Sequence, residues 1–175
     1  MSDTLKDMIE RRSIRKYKPD SVPDDLIEKI INAGLYAASS RGQQKPVLIA
    51  VTNKQVRDSL SDDNRKIGGW DEGFDPFYGA PALIMVVCEK AHANKVYDGS
   101  CVMENLMIAA HACGLGSCWI HRAKEELEMP KWQQWLKDLG LEGEYEGIGH
   151  CILGYTDGEY PAPPERKTGR VFYVK

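Results

Sequence analysis

Four short segments, 47–51, 82–88, 117–121 and 148–153, constrain this chain more than anything else in it. The first two are apolar at every position rather than at alternate ones. That pattern belongs to strands buried on both faces. Between the four lie segments with helical period. Leu5, Met8 and Ile9 share one face of 4–11, and Leu26, Ile27, Ile30, Ile31, Leu35 and Ala38 follow at helical spacing. Ser21-Val22-Pro23-Asp24 reads as the start of that second helix, with Ser21 as a capping hydroxyl. Residues 55–66 read as helix. The strongest helix is 98–113, with Val102, Leu106, Ala109, Ala110 and Cys113 turned inward and Gly114 as its C-terminal stop. Residues 124–139 carry helical pieces broken at Pro130. Strands alternating with helices predict a layered α/β or α+β sandwich.

The connections are informative too. Residues 39–45 form a polar loop before Pro46. Residues 68–79 hold four glycines and the rings of Trp70, Phe74, Phe77 and Tyr78, which suit either a flap over a ligand or loop packing. The chain has 175 residues, no internal repeat and no evident linker, which fits one domain or one half of an obligate dimer. The stretch 161–175 begins Pro-rich and ends Val171-Phe172-Tyr173-Val174. An apolar end on a polar tail needs a surface to pack on, and a partner subunit is one.

At a net charge of −3 the chain carries no nucleic-acid footprint. No run approaches the length of a membrane span and no signal-peptide pattern opens the chain, so the expectation is a cytoplasmic protein. Cys88, Cys101, Cys113, Cys118 and Cys151 include no C-x-x-C pair. Cys88, Cys118 and Cys151 lie in the apolar runs, where a thiol acts as a small hydrophobe. His92, His111, His121 and His150 show no ligand spacing with them, so no metal site is expected.

On this mildly acidic chain, Arg11-Arg12-Ser13-Ile14-Arg15-Lys16-Tyr17 puts three guanidinium groups within five residues. Guanidinium is planar, always charged and forms paired hydrogen bonds with phosphate oxygens. The same cluster also reads as a solvated basic end to the preceding helix. No P-loop, dinucleotide fingerprint or G-x-S-x-G is present, and Gly114-Leu115-Gly116 precedes a strand rather than opening a helix. A phosphate site without a self-sufficient set of catalytic side chains points to chemistry carried by a bound phosphorylated cofactor.

Four blocks in order then resemble the FMN-dependent nitroreductase family, in its short single-domain NAD(P)H:flavin oxidoreductase form. They are Arg11 to Tyr17; Ala37-Ala38-Ser39-Ser40-Arg41-Gly42-Gln43-Gln44; Gly79-Ala80-Pro81 before an apolar run; and Gly114-Leu115-Gly116-Ser117-Cys118-Trp119-Ile120 with the later Ile152-Leu153-Gly154-Tyr155. The resemblance implies a single domain over 1–175: a three-layer α/β/α sandwich of α+β class, with a mixed, mainly antiparallel central sheet flanked by helices. It implies FMN as cofactor, NADH or NADPH as donor, and ping-pong hydride transfer through flavin N5 to a nitroaromatic, a quinone or a similar electrophile. It also implies a homodimer with the tail on the partner.

By position, the resemblance assigns the FMN phosphate and ribityl chain to Arg11, Arg12, Ser13 and Arg15. It assigns a contact across the dimer to Ala38, Ser39, Ser40 and Gly42, and the ring's reactive edge to the backbone of Ile120, His121 and Arg122. A further phosphate contact falls to Arg166 or Lys167, and the pyrimidine edge to Asn64 and Lys66. No catalytic side chain is implied, since the flavin carries the chemistry. Gly42, Lys45-Pro46 and His121-Arg122 depart from the residues usual in the family. Those departures bear on the acceptor more than on the flavin. Flavin-fragmenting or dehalogenating relatives, and a non-enzymatic FMN binder, are the alternatives on this fold; a plain anion-binding module would use the Arg cluster alone.

Overall fold

The computed structural model describes residues 3–175. In chain order the elements are α1 (Asp3–Glu10), α2 (Asp24–Leu35), a short 3-10 turn (Ser40–Gly42), β1 (Val47–Val51), α3 (Lys54–Gly68), β2 (Ala82–Glu89), α4 (Lys95–Ala112), β3 (Gly116–Ile120), α5 (Ala123–Glu126), α6 (Pro130–Asp138) and β4 (Tyr145–Gly154). The four strands form one sheet in the order β1-β2-β4-β3, and every pairing is antiparallel. Among the described residues the parallel component is one bridge, from Ser13 ahead of α2 to Ser117 in β3.

β2 shows why a continuous apolar run matters. Leu83, Met85 and Val87 face one core, and Ala82, Ile84 and Val86 face the other. Helix α3 and the α5–α6 segment cover the first face through Leu60, Leu127, Trp132 and Leu136. Helices α2 and α4 cover the second through Ile27, Ile30, Val102, Met103, Leu106 and Ala110. The result is the expected α+β three-layer sandwich.

Helix ends follow local chemistry with one correction. Pro23, not Ser21, stands at the N-cap of α2 and no side chain caps that end. Val22 is buried there while Ser21 is exposed, so packing sets the entry and proline sets the turn. The helix also stops at Leu35, short of Ala38. Pro130 begins α6 rather than merely breaking a helix. Gly114 ends α4 at a φ of +76°, a conformation that favours glycine. β4 starts at Tyr145, three residues before the apolar run, and a bulge shifts its register against β2 at Val86/Val87. Gly147 lies in this extension. A Cβ there would meet the Ala123 backbone at 2.3 Å, so glycine allows α5 to sit against the strand.

Among the described residues no helix is long and apolar enough to cross a membrane. Several apolar side chains remain exposed: Met8 and Ile9 on α1, Leu35 and Tyr36 at the end of α2, Val96 and Tyr97 on α4, and 171–174 in the tail.

Candidate functional site

The Arg cluster begins where α1 ends. The Arg11 N–H donates to Asp7 O at 2.9 Å. Arg12 folds back, its Nη1 donating to Ile9 O (2.8 Å) and Arg11 O (2.6 Å), which satisfies carbonyls left over at the helix terminus. The chain then runs beside β3: the Ile14 N–H donates to Ser117 O at 2.9 Å, and the Ile14 side chain is buried. Residues 11–15 are thereby pinned to an edge strand rather than left as a solvated helix end.

Arg11, Arg12, Ser13 and Arg15 line one wall of a cavity of about 330 Å³, and Pro161, Ala162, Pro164 and Arg166 line the other. Arg11 Nε and Nη1 and Arg12 Nε are buried with no hydrogen-bond partner. Glu104 Oε1 lies 3.9 Å from Arg11 Nε, close enough for attraction but too far for a hydrogen bond. Buried donors left unmatched are costly, and on guanidinium groups they call for an anion with several acceptor oxygens. Lys167 is exposed and does not line this cavity.

A larger cavity of about 540 Å³ lies at the other end of β3, with Trp119, His121, Arg122, Val96 and Ile148 in its wall. His121 is four residue steps beyond Ser117, so at a rise of about 3.3 Å per residue the strand leads from one cavity to the other over roughly 13 Å. Arg122 has a φ of +78° and caps α5 from the left-handed region. Its guanidinium stacks on Trp70, 4.4 Å from the ring centroid. Trp119 Nε1 is buried without a partner.

Asn64 lies elsewhere than the resemblance implied. It is fully buried, and its Nδ2 donates to His121 O (2.8 Å) and to Glu126 Oε1 (2.6 Å). Glu126 Oε2 in turn lies 2.6 Å from His150 Nε2, and both residues have no exposed surface. Asn64 thus holds the carbonyl of His121 from inside and lines neither cavity. Its place on the inner face of α3, ahead of the last turn, aims it inward beside the buried Glu126. Lys66 points outward and pairs with Asp62 at 2.5 Å.

The loop from Ala38 to Gly42 sits beside α4 and lines neither cavity. The Ser40 N–H and Oγ both donate to Asp98 Oδ1 (3.0 and 2.9 Å), and His92 Nε2 lies 2.8 Å from Asp98 Oδ2. Burial pushes the Asp98 carboxyl up, but the bonds from His92 and Ser40 outweigh it and hold the group below the usual carboxylate range. Ser39 Oγ accepts the Gln44 N–H at 2.9 Å, Gly42 has a φ of +65°, and Ala38 is exposed.

The aromatic loop 68–79 divides between its two readings. Phe77 is wholly buried, with His150 5.2 Å away and Arg57 over its face. Trp70 and Phe74 stay partly exposed, their centroids 5.1 Å apart, and Trp70 meets Arg122. Asp75 organises the loop: it pairs with Arg57 and accepts from Ser61 Oγ (2.5 Å), Phe77 N (2.9 Å) and Gly79 N (2.7 Å). Burial raises its pKa, yet Ser61 and Arg57 pull it below the ordinary value.

Burial pushes the thiols of Cys88, Cys118 and Cys151 up, which leaves them protonated and unreactive at neutral pH. Among the described residues no group of His, Cys, Asp and Glu is placed to hold a metal ion. Tyr160 was not singled out by the sequence, because a lone aromatic in a Pro-rich tail carries no periodic or motif signal. Its phenol oxygen accepts the Arg12 N–H at 2.9 Å.

The nitroreductase family model matches residues 8–155. A Methanothermobacter thermautotrophicus protein provisionally named NADH dehydrogenase/NAD(P)H nitroreductase is 32% identical over 126 residues, which are 67% of this chain and 60% of that relative. The match thus spans less than two thirds of that relative's length. An Archaeoglobus fulgidus protein with the same provisional name is 29% identical over 165 residues, 91% of this chain and 88% of its own. Among solved structures, a Bacteroides fragilis nitroreductase with bound FMN superposes with a TM-score of 0.91 at 26% identity, covering 100% of both chains.

Proposed function

Because this chain belongs to the nitroreductase family, we propose that it is an FMN-dependent NAD(P)H oxidoreductase that reduces nitroaromatics, quinones or similar electrophiles. The observation that carries this reading is that Arg11 and Arg12, which hold buried guanidinium nitrogens without partners, line one cavity together with Arg15 and Arg166. A terminal phosphate fits it by charge and by the number of acceptors needed. The B. fragilis structure, with its bound FMN, supports the same ligand. From the phosphate cavity β3 leads over roughly 13 Å to Ile120, His121 and Arg122. That length suits an extended mononucleotide with its ring at the second cavity.

Bound there, FMN would supply two-electron chemistry, with hydride accepted at N5 from NAD(P)H and passed to an acceptor in a ping-pong cycle. The chain's own part is binding and orientation. Arg11, Arg12 and Arg15 neutralise the phosphate, with Arg166 on the opposite wall. Asn64, by holding the His121 carbonyl, fixes the backbone at the reactive edge. Trp70 immobilises the Arg122 guanidinium over the same cavity. No side-chain acid or base is needed for the hydride step.

Anaerobic addition of NADH or NADPH should bleach the flavin absorbance of the purified protein, and a nitroaromatic or quinone should restore it. A protein that takes up no flavin after incubation with FMN would overturn the proposal. Flavin that neither nucleotide bleaches would leave only an FMN binder.

The active form in this proposal is a homodimer. Support comes from the exposed Met8, Ile9, Tyr36, Val96 and Tyr97, and from an apolar tail, 171–174, left uncovered in one chain. The loop 38–42 lines neither cavity of its own chain, which fits a contact with the flavin of a second copy. Deleting residues 171–175 is expected to lower dimer stability and FMN retention together. Unchanged sedimentation and flavin content after the deletion would count against the wrap. Five unpaired cysteines suit a reducing compartment, so a cytoplasmic location belongs to the same reading. Recovery of the protein from an oxidising compartment would refute that location.

A further inference from the structure

We propose that Tyr160 is a positioning residue for the phosphate site, a latch that holds the C-terminal segment in place as the second wall of the arginine cavity. The inference rests on the reading above that this cavity takes the FMN phosphate. Residues 158–175 form neither helix nor strand. Among the described residues, Tyr160 makes the only hydrogen bonds between this segment and the rest of the chain. Yet Pro161, Ala162, Pro164 and Arg166 supply half of the cavity lining. A wall made of irregular chain must be fixed by something.

The attachment is specific. The phenol oxygen accepts the Arg12 N–H at 2.9 Å and lies 3.1 Å from His111 Nδ1. The two rings lie 5.7 Å apart. His111 Nε2 lies 3.8 Å from Asp7 Oδ1. The imidazole thus lies between the phenol on one side and the Asp7 carboxylate on the other. Tyr160 therefore touches the last turn of α4 and the Arg cluster just beyond α1, although 43% of its surface is exposed. The residues that follow make one anchor sufficient. Pro161, Pro163 and Pro164 fix their own φ and restrict the residue before each. The segment is stiff and extended, so the position of residue 160 carries through toward Arg166.

The test is Tyr160→Phe, which keeps the ring and removes the oxygen. The Arg12 amide should exchange with solvent three- to tenfold faster, the worth of one net hydrogen bond. The dissociation constant for FMN should rise by a similar factor, while that for riboflavin should change less than twofold. In an Arg166→Gln background the same replacement should have little further effect on FMN, because the wall it positions has lost its charge. An Arg12 amide that exchanges at the wild-type rate in Tyr160→Phe overturns the latch. Equal weakening of FMN and riboflavin overturns its link to phosphate. A wild-type protein that binds riboflavin as tightly as FMN would instead overturn the underlying phosphate assignment, and Arg12 exchange would still report on the latch.

Discussion

Replacing Arg11 and Arg15 together with alanine is expected to weaken FMN binding by about 3–6 kcal/mol, taking about 1.5–3 kcal/mol for each charged hydrogen-bonding group. At about 1.4 kcal/mol per factor of ten, that is a loss of roughly a hundredfold to ten-thousandfold in affinity. Riboflavin, which has no phosphate, should lose far less. The reason is geometric. Arg11 Nε and Nη1 are buried and matched to nothing in the chain, so a phosphate is their natural complement. The same fact predicts a modest effect on the apoprotein. Removing a donor that has no partner forfeits no hydrogen bond, and Glu104 at 3.9 Å is a weak counterweight. Titration of the apoprotein with both flavins, alongside its thermal midpoint, measures both parts. Equal losses for FMN and riboflavin would move the phosphate elsewhere. A collapse of the apoprotein would mean that the cluster is structural.

Glu126→Ala is expected to cost about 2–6 kcal/mol of folding stability, since it leaves two buried polar partners unmatched at about 1–3 kcal/mol each. Glu126, His150 and Asn64 are all fully buried, and Glu126 is the hub: it accepts from Asn64 Nδ2 at 2.6 Å and lies 2.6 Å from His150 Nε2. Its removal strands the Asn64 amide and the His150 ring beside Phe77 in an apolar core. Replacing Glu126 and His150 together with apolar residues of similar size should cost less than Glu126→Ala alone, since the His150 ring is then no longer orphaned and only the Asn64 amide has lost a partner. The consequence extends to the site, because the amide of Asn64 also holds the His121 carbonyl. Urea unfolding of the three proteins measures the difference. A loss below about 1 kcal/mol for Glu126→Ala would show that the pair is of little consequence.

The two halves of this chain were not equally legible. β2 could be read from its unbroken apolar run because it is buried on both faces; β1 carries the same run, yet as an edge strand it leaves Ala50 exposed. β4 could be read only from Ile148 onward. Its first residues include Glu146 and Gly147, and glycine is there because the Ala123 backbone passes within a Cβ's reach, a fact with no trace in local sequence. Ser21 looked like a cap, but the burial of Val22 set the chain's path and left the hydroxyl in solvent. Asn64 looked like a ligand-facing polar residue, and the orientation of α3 turned it into the interior.

The apolar runs, the helical periods, the layered α+β class and the clustering of Arg11, Arg12 and Arg15 were legible in the sequence alone. Each depends on periodicity or on the chemistry of neighbouring residues, which act over a few positions. Only the tertiary structure decided which guanidinium nitrogens stay unmatched, which segment walls the cavity and what holds the backbone at its far end. Those outcomes are contacts between residues distant in the chain. Arg12 meets Tyr160 across 148 positions, and Asn64 meets Glu126 across 62. No local pattern records such pairs, because the energy that selects them comes from burying polar groups together when the layers close.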